Sequence, residues 1–310
     1  MKTNKYILCG IIGMMMTACG SEEMTLQTQN DNIVKLTAKI EGMVATRAAA
    51  NDYLMDIQFV SGRPLNLYIV DHDTQTGISG TTNSNGGYGY IRYTTGENGS
   101  MTTTTAPTYP ANNKIDIYAL HGITMDHTVA PLSFGSNDVN DNDIMYAVAN
   151  NVDNEGGKPI ELTFKHVCSK ITVTLDKGTT NKDLTGAKIK GNFDSGIYIV
   201  HNRTTGLTAN VRNNTGNDFQ TFDFGTYDVG GNVHIIGPQN RYPDNTKPMF
   251  SVETSDGMVY NYFPSEEVTF DSGKAYTFNL KLSEKYLLDV SSTVSPWDST
   301  PTVINGDAKQ

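Results

Sequence analysis

The stretch Val34-Lys35-Leu36-Thr37-Ala38-Lys39-Ile40-Glu41 has the clearest structural pattern in the chain. Apolar and polar residues alternate along it, so that Val34, Leu36, Ala38 and Ile40 fall on one face and the polar side chains on the other. Successive side chains of a β-strand point to opposite sides of the sheet. The alternation therefore predicts a strand that buries one face.

The sequence that follows this strand contains many more short strand candidates, with turn clusters rich in glycine and asparagine between them. The candidates are Leu65–Val70, Tyr88–Tyr93, Ile115–Leu120, Ile144–Ala149, Ile160–Phe164, Ser169–Leu175, Lys188–Lys190, Gly196–Val200, Asp218–Phe224, Val233–Ile236, Met249–Glu253, Met258–Phe263, Ala275–Leu282 and Leu287–Val294. No regular alternation of strands with helices, which a parallel α/β sheet requires, can be found in the pattern. We therefore expect an all-β chain of sandwich type.

The first residues predict a targeting segment. Lys2 and Lys5 precede an apolar run at 6–17, which is shorter than the roughly 20 residues that a membrane-spanning helix needs. The run ends in small residues before Cys19 and resembles a bacterial lipobox. We expect residues 1–18 to be a signal peptide and Cys19 to carry lipid, palmitate included, that anchors the precursor to the outer membrane. The alternative is an ordinary signal peptide in which Cys19 is incidental.

The net charge and the cysteines limit which partners and which cysteine chemistry the chain can have. The formal net charge is -10 without a basic cluster, which argues against nucleic acid as a partner, because its phosphates must be neutralised by Lys and Arg. Cys9 lies in the signal segment and Cys19 is the predicted lipid site, which leaves Cys168 without a disulfide partner. We expect Cys168 to be buried, with a nucleophile assisted by His166 as the alternative.

The sequence contains no nucleophile elbow, zinc-protease helix or phosphate loop. The strongest cation candidate is Asp138-Val139-Asn140-Asp141-Asn142-Asp143, whose carboxylates could supply oxygen ligands to calcium. It departs from the EF-hand pattern, because Asp143 stands where glycine is required and Ala149 where the bidentate glutamate belongs. A polar loop is favoured over a calcium site, and the sequence predicts neither a cofactor nor enzymatic activity.

Several short segments of the sequence are similar to the motifs of one protein family. They are Ile115–Ala119; Asp143–Ala147, similar to Asp-Leu-Met-Tyr-Ala; Leu162–Ile171, similar to Leu-x-Phe-x-His-x-x-Ser-Lys-Leu; Ile235–Gln239, similar to Ile-Ile-x-Pro-Gln; Gly273–Leu282, similar to a closing Gly-Lys-x-Tyr strand; and Val294–Trp297. By their order and spread, the segments together resemble the fimbrillin family, the pilins of type V pili.

The resemblance implies two transthyretin-like β-sandwich domains in tandem. A polar, glycine-rich run at 150–157 marks the boundary, so we expect domains at 48–152 and 153–310. The resemblance also implies a structural subunit of a cell-surface fimbrium (pilus), without enzymatic activity, that assembles with other fimbrial subunits by donor-strand exchange. It implies a contribution to adhesion through a host or bacterial ligand that the sequence does not identify.

The resemblance further implies cleavage by an arginine-specific protease of trypsin-like or gingipain type. Arg47 and Ala48 stand in a small-residue stretch of the kind that is easily nicked, so we expect the cut between them. Residues 19–47 then form a propeptide, and the Val34–Ile40 strand is free to leave an apolar groove for another chain's strand. The alternative from the residues alone is an ordinary first strand, with Arg47 an ordinary loop residue.

Residues 298–310 bear on the position of the subunit in the fimbrium. A donor strand needs apolar residues at alternate positions over about eight to ten residues. Here Val303 and Ile304 are neighbours, and Pro301 and Gly306 weaken a strand. The tail therefore favours a tip or accessory subunit over a stalk subunit. Two other functions stay open, a surface glycan-binding lipoprotein and a secreted hydrolase.

Overall fold

The computed structural model describes residues 32–41, 59, 61–78, 89–122, 129–133, 143–194, 196–202, 206–211, 219–227, 231–241, 243, 246–283, 288–297 and 302–305. The predicted lipid site Cys19, the predicted cleavage site at Arg47 and Ala48, and positions 138–142 of the cation candidate lie outside the described residues. What was predicted for them stays a prediction.

The described residues form β-strands and one turn of 3₁₀ helix at Glu97–Gly99. The strands are β1 Leu36–Ile40, β2 Pro64–Asp71, β3 Ile91–Thr95, β4 Met101–Thr102, β5 Lys114–His121, β6 Val129–Ser133, β7 Met145–Asp153, β8 Ile160–His166, β9 Ser169–Asp176, β10 Lys188–Asp194, β11 Gly196–Asn202, β12 Gly206–Val211, β13 Phe219–Thr226, β14 Asn232–Ile236, β15 Gln239–Arg241, β16 Phe250–Glu253, β17 Val259–Tyr262, β18 Val268–Phe270, β19 Lys274–Leu282, β20 Leu288–Pro296 and β21 Thr302–Asn305. The all-β prediction is confirmed. Within the described ranges, no helix has the length and apolar character needed to cross a membrane.

The largest sheet has seven strands in the order β1-β8-β7-β5-β2-β3-β4. The other sheets are β14-β9-β19-β20-β21, β13-β10-β16-β17, β12-β11-β6 and β15-β18. Neighbouring strands run antiparallel except for β1 with β8 and β9 with β19, which are parallel. β8 follows the predicted domain boundary in the sequence and pairs with β7 and β1 in the seven-stranded sheet. The division into domains at 48–152 and 153–310 stays a prediction.

Two hydrophobic clusters use alternate residues of the same central strand, β2. Leu65, Leu67 and Ile69 belong to one cluster, which we call the N-terminal core, and it also contains the apolar side chains of β1. Tyr68 and Val70 belong to the other, the C-terminal core, together with side chains of β9, β10, β16 and β19. Because side chains alternate along a strand, β2 is buried on both faces, which explains why its sequence is a nearly continuous apolar run.

Candidate functional site: the groove occupied by β1

β1 lies at the end of the seven-stranded sheet, beside β8. The two strands are in parallel register, from Leu36 opposite Ile160 to Ile40 opposite Phe164. At the two ends of the pairing, the Ile160 amide donates to the Lys35 carbonyl at 2.9 Å and the Glu41 amide donates to the Phe164 carbonyl at 2.7 Å. The backbone of β8 therefore forms one wall of the space that β1 fills.

The apolar face of β1 is buried in the N-terminal core. Val34, Leu36, Ala38 and Ile40 are between 0% and 6% exposed, in agreement with the alternation of the sequence. At roughly 1.5–3 kcal/mol for each of the three larger side chains, their burial contributes about 5–9 kcal/mol as an upper estimate. Removal of β1 would therefore uncover an apolar groove, which we call the β1 groove.

The segment 97–109 lies along the other side of β1. The Val34 amide donates to the Pro107 carbonyl at 2.9 Å, and the Tyr109 amide donates to the Asn32 carbonyl at 2.9 Å. An isolated antiparallel bridge also joins Thr37 to the residue at position 100. The β1 groove thus has backbone hydrogen-bonding groups on both sides, so a strand that replaced β1 would find partners on each edge.

Gly99 approaches the β1 backbone more closely than any side chain would permit. Its φ is +74°, and a Cβ at this position would lie 2.1 Å from the carbonyl oxygen of Ala38. The preceding Asn98 also has a positive φ, of 56°, which tightens the turn. The absence of a side chain at Gly99 lets this turn press against the backbone of β1.

Two ion pairs join the solvent-facing sides of β1 and β8. The Lys39 ammonium pairs with the Glu161 carboxylate. Just after β1, the Glu41 carboxylate accepts from the Lys165 ammonium at 2.9 Å, and this hydrogen bond raises the pKa of Lys165. All four side chains are substantially exposed, so each pair contributes little to stability but can favour one register of the two strands.

The far end of β8 is attached to the C-terminal core by a cluster that the sequence pattern does not predict. His166 Nδ1 lies 2.9 Å from Asp143 Oδ1, and the His166 ring stacks on Trp297 with centroids 4.0 Å apart and planes at 2°. The Lys170 ammonium lies 5.6 Å from the centre of the Trp297 ring. Each of these residues falls in a segment that carries the fimbrillin resemblance, which was the available signal for their proximity.

Cys168 is completely buried, as expected for a free cysteine. Burial raises the pKa of its thiol well above the ordinary range. The thiolate is the nucleophilic form, so a thiol in this setting is a poor nucleophile. The nearby His166 is held by Asp143 and Trp297.

Asp143, the last residue of the cation candidate, pairs with His166 and is 3% exposed. In the part of the chain that the structure describes, no three or more His, Cys, Asp or Glu side chains are placed to hold a metal ion together.

Similar folds occur among solved structures. A candidate cell adhesion protein from Bacteroides uniformis is similar with a TM-score of 0.63 and 20% identity, over 86% of this chain and 99% of that chain. One from Bacteroides ovatus is similar with a TM-score of 0.62 and 17% identity, over 86% and 97% of the two chains. The tip fimbrial protein Mfa3 from Porphyromonas gingivalis, with a C-terminal truncation, has a TM-score of 0.46 and 12% identity, over 86% of this chain and 99% of that chain. No curated protein matches the chain significantly.

The chain shares its all-β fold with these two Bacteroides structures. The family described as fimbrillin-like matches residues 46–297, and the chain belongs to that family. The resemblance seen in the sequence segments is therefore confirmed. By family, the chain is a fimbrial subunit located in the cell-surface fimbrium.

Proposed function

We propose that this fimbrial subunit assembles by donor-strand exchange, in which β1 leaves its groove and a strand of another subunit takes its place. The observation that carries the proposal is the β1 groove itself. In this groove β1 buries four apolar side chains, and the backbone of β1 has hydrogen-bond partners on both sides. A second strand with the same alternation could make the same contacts, and strand addition of this kind supplies both main-chain affinity and side-chain selectivity.

Release of β1 follows cleavage between Arg47 and Ala48 by an arginine-specific protease. β1 ends at Ile40, seven residues before Arg47, so the cut detaches the strand from the rest of the chain. Without the covalent link, the strand that leaves is no longer returned at the high effective concentration of an intramolecular partner. The cut thus converts a stable first strand into one that another chain can displace.

Treatment of the purified precursor with an arginine-specific protease tests this function. We expect a cut after Arg47, followed by polymerisation or by capture of a donor peptide. The conservative variant Arg47→Lys should stay uncut and monomeric, because the protease does not accept lysine while the charge at the site is kept. Mature protein that begins elsewhere than Ala48, or a cut chain that retains β1 and captures no donor, would contradict the proposal.

Before cleavage, lipid on Cys19 holds the precursor at the outer membrane. We expect Cys19→Ala to release the protein from membranes and to abolish labelling with palmitate. A Cys19→Ala variant that still incorporates palmitate would exclude this anchor.

The position we propose is a tip or accessory subunit, without enzymatic activity, that contributes to adhesion. The tail strand β21 pairs with β20 of its own chain, and its sequence lacks the alternation of a donor. Deletion of residues 299–310 should leave entry into fimbriae unchanged. Loss of chain growth on this deletion would instead identify the tail as a donor and the chain as a stalk subunit.

A further inference from the structure

We propose that the β1 groove selects its donor by a side-chain pattern. The donor carries a small residue at the position of Ala38, a basic residue at the position of Lys39, and large apolar residues at the positions of Leu36 and Ile40. This inference rests on the proposed strand exchange and adds the chemistry of the strand that the groove accepts. The occupant is a strand of another fimbrial subunit, running in the direction of β1.

The need for a small residue follows from how β1 is confined at Ala38. The side chain of Ala38 is 6% exposed in the N-terminal core, and its backbone pairs with Leu162 of β8 on one side. On the other side, the Gly99 turn lies against the Ala38 carbonyl. A larger side chain at this position must displace core neighbours, because the strand has no space to move away within the plane of the sheet.

The need for a basic residue follows from the charges that β8 presents to solvent. Glu161 faces Lys39, and Lys165, four residues further along β8, faces Glu41. A strand parallel to β8 therefore meets an acidic side chain first and a basic one second. A donor with a basic residue followed two positions later by an acidic one complements both, whereas the reversed order places like charges together.

The C-terminal tail of this chain does not have the pattern. Ala308-Lys309 is the small-basic pair nearest to the requirement, but Gly306 and Gln310 then stand where the large apolar residues of the donor are needed. Residues 302–305 are also paired with β20. Residues 298–310 of a second copy of this chain are accordingly poor occupants of the β1 groove.

Peptide capture during cleavage of the full precursor tests the selection. The precursor is cut by an arginine-specific protease in the presence of a fluorescent peptide, and bound peptide is measured by anisotropy and native mass spectrometry. The reference peptide has the sequence of residues 32–42, which contains no arginine. Because the changes at Ala38, Lys39 and Lys35 are made in the peptide, folding of the precursor is the same in all of these comparisons.

We expect the reference peptide to be captured and the Ala38→Leu peptide to bind about tenfold more weakly or worse, as overpacking requires. The Lys39→Glu peptide should dissociate about two- to fivefold faster, the range of an exposed ion pair. The matched control Lys35→Glu should behave as the reference, because Lys35 is exposed and forms no ion pair with the residues that the structure describes. A precursor with Glu161→Lys should reverse the order of the reference and Lys39→Glu peptides.

The outcomes distinguish failure of the proposed donor pattern from failure of strand exchange itself. Equal capture of the reference and Ala38→Leu peptides would overturn the selection and leave exchange standing. Capture of a peptide with the sequence of residues 298–310 as strongly as the reference would also overturn it. If the precursor is cut after Arg47 and captures no peptide at all, exchange fails and the selection fails with it.

Discussion

β1 and β21 are both end strands of a sheet near the two ends of the described chain, yet they differ in sequence pattern and in pairing. β1 buries an alternating apolar face and has backbone partners on both of its sides. β21 pairs antiparallel with β20, from Ser291 opposite Asn305 to Val294 opposite Thr302. Its two strongly apolar residues, Val303 and Ile304, are adjacent in the sequence, so the alternation seen in β1 is missing.

The difference bears on the proposed strand exchange. A strand held by side-chain burial leaves an apolar groove when it is removed, and that groove favours entry of another strand. A strand whose sequence lacks the alternation offers no continuous apolar face, so exchange at its position would give less selectivity and less free energy on pairing. This comparison favours β1 as the place of the proposed acceptor site.

The largest expected effect comes from truncating the buried face of β1. Ile40 is 0% exposed, so Ile40→Ala should lower the free energy of unfolding by about 2–5 kcal/mol through lost burial and a cavity. The control Lys35→Ala, on the exposed face of the same segment, should stay within about 0.5 kcal/mol of the wild type. Urea denaturation measures both. Equal effects of the two changes would show that burial does not hold β1.

The next effect is expected at the turn that borders the β1 groove. Gly99→Ala should lower the free energy of unfolding by about 3 kcal/mol, because its Cβ would collide with the Ala38 carbonyl as well as strain the backbone. Gly257→Ala is the matched control, since its φ is also positive, +82°, and nothing lies within 4 Å of a Cβ there. The control should lose about 1 kcal/mol. Hydrogen exchange of the β1 amides should accelerate in Gly99→Ala alone.

The sequence predicted β1 well because one face is buried and the other is wet, which produces a clean alternation. The sequence also predicted β5 and β19, because both strands are rich in apolar and aromatic residues. β21 was not predicted, because Val303 and Ile304 are adjacent and break the alternation. β12 was missed although Leu207, Ala209 and Val211 alternate with polar residues, because the pattern is short and only moderately apolar.

The contacts around the β1 groove could not be derived from local patterns. The pairing of β8 with β1 joins residues more than a hundred positions apart, and the contact of Gly99 with Ala38 depends on tertiary approach. The stack of His166 on Trp297 is of the same long-range kind. The pattern of β1 predicts a buried face, whereas the walls of its groove are set by the rest of the fold.

Acid should weaken the C-terminal core before it affects β1. His234 in β14 lies between Phe222 and Phe224, with ring centroids 5.1 and 5.0 Å away, and burial lowers its pKa from 6.5 to about 4. The unfolded chain binds the His234 proton more tightly than the folded chain does. The stability that neutral His234 contributes is therefore fully present above pH 6.5 and is lost as the pH falls towards 4. We expect a loss of about 2 kcal/mol between pH 8 and pH 5.

Chemical denaturation at the two pH values measures this loss. His234→Phe, which keeps an aromatic ring beside Phe222 and Phe224 and removes the titrating group, should show a flatter pH profile. Hydrogen exchange at pH 5 should rise in β14 while the β1 amides stay protected. A profile of the same steepness in the variant would assign the acid sensitivity to other groups.

The smallest effect is expected from the ion pair after β1. Lys165→Gln removes its pair with Glu41, in which both side chains are about half exposed, and should lower the free energy of unfolding by about 0.2–1 kcal/mol at low salt. In about 1 M salt the difference should vanish, because screening acts within a few ångströms. Denaturation at the two salt concentrations provides the comparison, and a salt-independent difference would mean that Lys165 acts through packing.

Release of β1 from its groove can be tested most directly with a reversible lock. Lys39 and Thr163 are opposite each other on β1 and β8, so cysteines at these two positions, with Cys9 and Cys19 replaced by serine, should form a disulfide across the strands. We predict that the oxidised precursor, once cut after Arg47, captures no donor and does not polymerise, and that reduction restores both. Donor capture or polymerisation at the same rate with the lock closed would contradict it, because β1 would then not need to leave.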